Sequence, residues 1–92
     1  MKKVRPVAPP NATDACTPAS LGLCIKAART QQGLTIEQAA ALSGVSLGTF
    51  VAAENKTDTL KLASVFKILD SLGVRMHVQL PSALSGNDDG WV

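Results

Sequence analysis

The sequence predicts a mainly α-helical domain of four to five short helices, followed by one C-terminal β-strand that pairs across a homodimer. Three observations predict it. Apolar residues recur at helical spacing in four successive segments between residues 18 and 73. The tripeptide Gly44-Val45-Ser46 breaks the second segment from the third with a turn glycine and a capping serine. After Gly73 the apolar period drops from 3.6 to 2. Four parts follow: a flexible basic, proline-rich arm over 1–17, a helical domain over 18–73, a dimerising strand over 74–80 and a tail over 81–92.

The arm carries three prolines without helical periodicity, which reads as extended chain. Pro18 suits the first turn of a helix behind Thr17. Leu21, Ile25 and Ala28, with Leu23, Cys24 and Ala27 beside them, give that helix an apolar face over roughly 18–32, and Gly33 ends it. Thr35 with Gln38 three residues on forms a capping-box pattern that opens a second helix over 36–43. Ser46 caps a third over about 47–54. Thr59 starts a fourth, with Leu60, Leu62, Val65, Phe66, Leu69 and Leu72 in an i, i+3, i+4 rhythm.

In "VRMHVQL", Val74, Met76, Val78 and Leu80 alternate with Arg75, His77 and Gln79. No second strand is visible in the chain, and one strand alone leaves its backbone groups unpaired. Its partner is therefore expected from another copy, with Val74, Met76, Val78 and Leu80 on the dimer seam.

Composition excludes several classes of function. Among 92 residues the formal net charge is only +2, although Lys2, Lys3 and Arg5 gather three of nine basic residues at the start. Affinity for nucleic acid must come from local charge and dimerisation. Cys16 and Cys24 lack zinc-site spacing and read as inert thiols, and His77, the one histidine, reads as a surface or interface residue. Nucleophile–base pairs, carboxylate clusters and phosphate-cradling loops are missing from the pattern, so no enzyme activity, cofactor or metal is expected. "MKKVRPVAPP" has the charges of a secretory leader but no apolar stretch behind it, and no run of apolar residues suffices to span a bilayer. A cytoplasmic protein without membrane attachment is the expectation.

The stretch "LTIEQAAALSGVSLGTFVAAEN" has the parts of a helix-turn-helix: Ala40 as the small inter-helix contact, Gly44 as the turn, and Val45, Phe50 and Ala53 as buried positions. On these residues the segment 21–72 resembles the Cro/CI-like, or XRE-type, helix-turn-helix family. "ENKTDTLKLASVFKILDSLGVRMHV", with a tail ending in "GWV", resembles the HipB-type antitoxins of that family. The resemblance covers most of the chain, the arm excepted.

The resemblance implies a dimeric antitoxin and autorepressor of a toxin–antitoxin operon. Such a protein binds double-stranded operator DNA and neutralises a HipA-like serine/threonine kinase toxin, which is a single chain or split. The HipB pattern also implies that Trp91 anchors the tail in a pocket of the toxin. Two other readings stand beside it: an autonomous XRE-type transcription regulator, and a kinase-inhibiting interaction module with weak DNA binding. The last is motivated by a departure from the family pattern. Ile36 stands where relatives place Gln, and Leu47, Gly48, Val51 and Ala52 stand where long polar readers belong. The DNA contacts expected from what remains are Thr35, Gln38, Ser46 and Thr49 near helix N-termini, Leu47, Gly48 and Val51 on the face of the third helix, and Lys56 after it. Specificity would then rest on DNA shape and thymine methyls as much as on hydrogen bonds.

Overall fold

A computed structural model describes residues 3–11 and 15–81. Four α-helices follow one another: α1 (Pro18–Gln31), α2 (Ile36–Ser43), α3 (Leu47–Asn55) and α4 (Leu62–Ser71), with a 3-10 turn at Thr57–Thr59 between α3 and α4. The first three start where their capping residues dictate. The Thr17 hydroxyl accepts from the Ser20 N–H, and the Ser20 hydroxyl oxygen accepts in return from the Thr17 N–H. Thr35 and Gln38 repeat the arrangement for α2, and Ser46 accepts from the Thr49 N–H for α3. Each such cap satisfies backbone donors that the helix itself leaves open, contributing about 1 kcal/mol.

Gly44 ends α2 in the left-handed region at φ 70°, where a side chain would be strained. The chain then bends by 107° into α3, within the range of a helix-turn-helix. Val45 drops in behind the turn, its N–H donating to the Ala40 carbonyl at 3.1 Å.

The core gathers Ile25 from α1, Ala39 and Ala40 from α2, Phe50 and Ala53 from α3, and Val65, Ile68, Leu69 and Leu72 from α4. Phe50, Ile25 and Ile68 are its largest fully buried side chains. Small residues let the helices close around Phe50. At Gly22 an added Cβ would meet the Glu54 carbonyl and the Thr57 hydroxyl at 2.6 Å, so α1 lies on the end of α3 at a distance that only glycine permits. The same two helices share a buried ion pair: Arg29 Nε donates to Glu54 Oε2 at 2.5 Å and Nη2 to Oε1 at 3.3 Å, while Nη1 reaches the Leu34 carbonyl at 2.8 Å. One guanidinium thus ties α1, α3 and the α1–α2 loop. Ser43 Oγ is the buried side-chain polar atom without a partner among the described residues.

The structure departs from the sequence expectation in four places. α1 ends at Gln31 and α3 runs on to Asn55. The fourth helix begins at Leu62, three residues later than Thr59. The Thr57 hydroxyl donates to the Ala53 carbonyl at 2.6 Å and that of Thr59 to the Lys56 carbonyl at 2.7 Å, so these threonines close a 3-10 turn and Leu60 leaves it extended. The buried face of α4 is also rotated from the predicted one: Ile68 is in the core, while Leu62 and Phe66 stand 62% and 48% exposed.

Residues 74–81 form no strand among the described residues. Val74 packs against the core, but Met76, Val78 and Leu80 are exposed, Val78 to 86%. The described residues of the arm form no helix, and the arm is fixed at Val7, whose N–H donates to Thr30 Oγ1 at 3.0 Å and whose carbonyl accepts from Gln31 Nε2 at 3.0 Å. Burial pushes the Cys24 thiol up from its ordinary pKa, with Cys16 adding to the shift, which disfavours the reactive thiolate.

Candidate nucleic-acid interface

α3 presents one face to the core through Phe50 and Ala53 and the opposite one to solvent through Leu47, Gly48 and Val51. Leu47 is 50% and Val51 39% exposed. Neither hydrophobe has a role inside the domain that would explain so much exposed apolar surface on a short helix. Gly48 is open as well: a Cβ there would meet nothing within 4 Å. Packing against neighbouring side chains therefore does not require this glycine.

The polar candidates are largely held by their own helix starts. The Thr35 hydroxyl accepts from the Gln38 N–H at 3.1 Å, and Gln38 Oε1 accepts from the Thr35 N–H at 2.9 Å. The cap uses only acceptors of the two side chains, so the amide NH2 of Gln38 and the hydroxyl proton of Thr35 take no part in it. Ser46 accepts the Thr49 N–H and donates its own proton to Thr49 Oγ1 at 2.9 Å, which leaves the Thr49 hydroxyl as the outward donor. These rigid donors at the starts of α2 and α3 suit phosphate oxygens. Asn55, now inside α3, is not a free reader either, since its Nδ2 donates to the Val51 carbonyl at 3.1 Å.

Lys56 lies exposed just past α3, and Lys61 lies exposed before α4. Lys67 turns back onto the end of α2, its Nζ 3.4 Å from the Gly44 carbonyl, where a cation offsets the negative end of the helix dipole. Sequence reasoning did not single out Arg29 and did not pair it with Glu54, although their ion pair fixes α3 against α1. A buried charge leaves no periodicity signal when its partner is 25 residues away. The structure thus brings Thr35, Gln38, Ser46, Leu47, Gly48, Thr49 and Val51 onto two helices joined by one turn. It holds Val74, Met76, Val78 and Leu80 apart from them on the segment after α4.

A helix-turn-helix family model matches residues 25–78, more than half of the chain. The chain belongs to the XRE-type helix-turn-helix family. The match runs from the middle of α1 past α4 and takes in the segment with Val74, Met76 and Val78, whereas the arm lies outside it. No curated protein matches the chain. As a helix-turn-helix protein it is a DNA-binding regulator, and α2 and α3 are the two helices that its turn joins. No single helix among the described residues is long and apolar enough to cross a membrane.

Proposed function

We propose that the protein is a dimeric operator-binding autorepressor, cytoplasmic, and the antitoxin of a toxin–antitoxin operon whose toxin is a HipA-like serine/threonine kinase. The observation that carries the DNA half of this reading is the solvent face of α3, where Leu47 and Val51 stand exposed around a glycine that no neighbour requires. Such a face approaches the groove floor closely, offers methyl groups to thymine and makes few hydrogen bonds to bases. Affinity then comes mainly from phosphate contacts, and specificity from DNA shape.

The dimer half is supported by the apolar surface left on one chain. Leu62 and Phe66 on α4 and Met76, Val78 and Leu80 beyond it are all exposed, and a second copy pairing along 74–80 would cover them. The kinase half rests on the likeness of residues 54–78 to HipB-type antitoxins. Trp91, the proposed toxin anchor, lies outside the described residues.

Titration of a duplex from the protein's own promoter at several salt concentrations tests the first half. A steep loss of affinity with salt and a preference over unrelated duplex is expected. Addition of the kinase encoded beside it tests the second, and loss of autophosphorylation is expected. A protein that silences the kinase but binds its promoter no better than unrelated DNA would instead be an interaction module. The absence of Arg and Gln from α3, whose exposed Asn55 turns its amide back onto the Val51 carbonyl, is the observation that favours that second reading.

A further inference from the structure

The arm lies outside the family match, yet it is attached to the domain at a defined point. Val7 donates its N–H to Thr30 Oγ1, and its carbonyl accepts from Gln31 Nε2, both at 3.0 Å. Thr30 is buried, and its hydroxyl proton is directed at the Lys26 carbonyl, 2.9 Å away. The hydroxyl oxygen is therefore free to accept from the arm and is held in place to do so. Between the arm and the body lies a cleft of about 400 Å³ whose walls bring Lys3 and Arg5 of the arm together with Lys26 of α1 and with Thr35, Ile36 and Glu37 at the start of α2. Arg29 also reaches this cleft, but its charge is engaged by Glu54. Three cations thus stand against one carboxylate at the edge of the domain where the first helix of the motif crosses the DNA backbone. Ile36 offers no donor at that place, so the cations of the arm supply what α2 lacks.

We propose that the arm is a fixed part of the DNA-binding surface and that Thr30 is its positioning residue. The anchor at Val7 holds Lys3 and Arg5 beside the start of α2, where they contact phosphates of duplex DNA outside the groove that α3 enters. The proposal rests on the DNA-binding reading above. Pinning matters because an untethered arm would have to be ordered at the moment of binding, whereas a docked one has already lost that freedom.

The test is anisotropy titration of a fluorescein-labelled mixed-sequence duplex at several salt concentrations. Three variants are compared with the parent: Thr30→Val, Val7→Pro and Lys3→Ala/Arg5→Ala. Val7→Pro deletes the donor N–H without touching a helix, so it stays informative if Thr30→Val fails to fold. Each neutralised phosphate contributes a salt slope of about 0.9, so loss of two contacts should lower the slope by about two and the affinity roughly tenfold. All three variants are expected to show this, and Lys3→Ala/Arg5→Ala should add nothing further to Val7→Pro. Hydrogen exchange at the Val7 amide, measured without DNA, should be slow in the parent and fast in Thr30→Val. If Val7→Pro binds like the parent while Lys3→Ala/Arg5→Ala binds weakly, the cations work from an untethered arm and the proposal is overturned. It is equally overturned if every variant binds like the parent. A parent that shows no salt-dependent binding brings down the DNA-binding reading itself, an outcome set apart because it needs no variant.

Discussion

Gly48 is the residue on which the reading of α3 turns. It occupies the second position of the helix, where glycine costs backbone entropy relative to alanine, and no atom of the chain lies within 4 Å of where its Cβ would be. Replacement by alanine should therefore stabilise the free protein by about 0.5 kcal/mol, a shift of a few degrees in melting temperature. If the glycine lets α3 approach DNA closely, the same methyl should weaken operator binding several-fold. Thermal melting and duplex titration of Gly48→Ala read the two effects separately. A variant that melts higher and binds as tightly as the parent would remove the argument that this face lies against the groove.

At the scale of elements, α1 and α3 are held by the Arg29–Glu54 pair, whose side chains are 9% and 3% exposed. Arg29→Met leaves a carboxylate buried without its cation, which costs about 3–5 kcal/mol. That is a large part of the stability of a domain this size. The double variant Arg29→Met/Glu54→Leu should recover most of the loss, because two apolar side chains of similar volume bury without desolvating a charge. Urea unfolding of both measures this, and a single variant within 1 kcal/mol of the parent would show that the pair contributes little. The starts of α1, α2 and α3 were legible in the sequence because each rests on local capping chemistry at Thr17, Thr35 and Ser46. The start of α4 was not. Thr57 and Thr59 look like caps, but they spend their hydroxyls on a 3-10 turn, and Lys61 starts the helix without any side-chain cap. The apolar arc of α4 is wider than the core it meets, so spacing alone did not separate Ile68, which is buried, from Leu62 and Phe66, which are not. For the site, spacing located the turn and the exposed face of α3. The anchoring of the arm by the Thr30 hydroxyl and the Arg29–Glu54 pair were hidden, because each depends on a partner more than 20 residues away.

For the whole molecule the outstanding feature is the apolar surface of the last third of the chain. Leu62, Phe66, Met76, Val78 and Leu80 are all exposed. Phe66, Val74 and Met76 border one cleft of about 600 Å³ with Asp70, Arg75 and His77 at its edge. Clustered apolar surface on a small domain marks an interaction site, and scattered single hydrophobes do not. Pairing of residues 74–80 with the same residues of a second copy would satisfy the backbone groups that one chain leaves open. It would also remove Met76 and Val78 from water and give the assembly two α3 helices, one for each half-site of a two-fold operator. Val78 decides between this and an idle segment, because at 86% exposure it has no packing of its own to lose. Val78→Lys should leave the helical signal and the melting of an isolated chain unchanged. In a dimer it would place two charges on a buried seam and shift association by several kcal/mol towards monomer. Sedimentation equilibrium of parent and variant at micromolar concentration reads the difference, and operator affinity should fall with the dimer because each monomer then holds a single half-site. Two outcomes would refute the seam: a variant that sediments as the parent does, or a parent that is monomeric under the same conditions while still binding both half-sites.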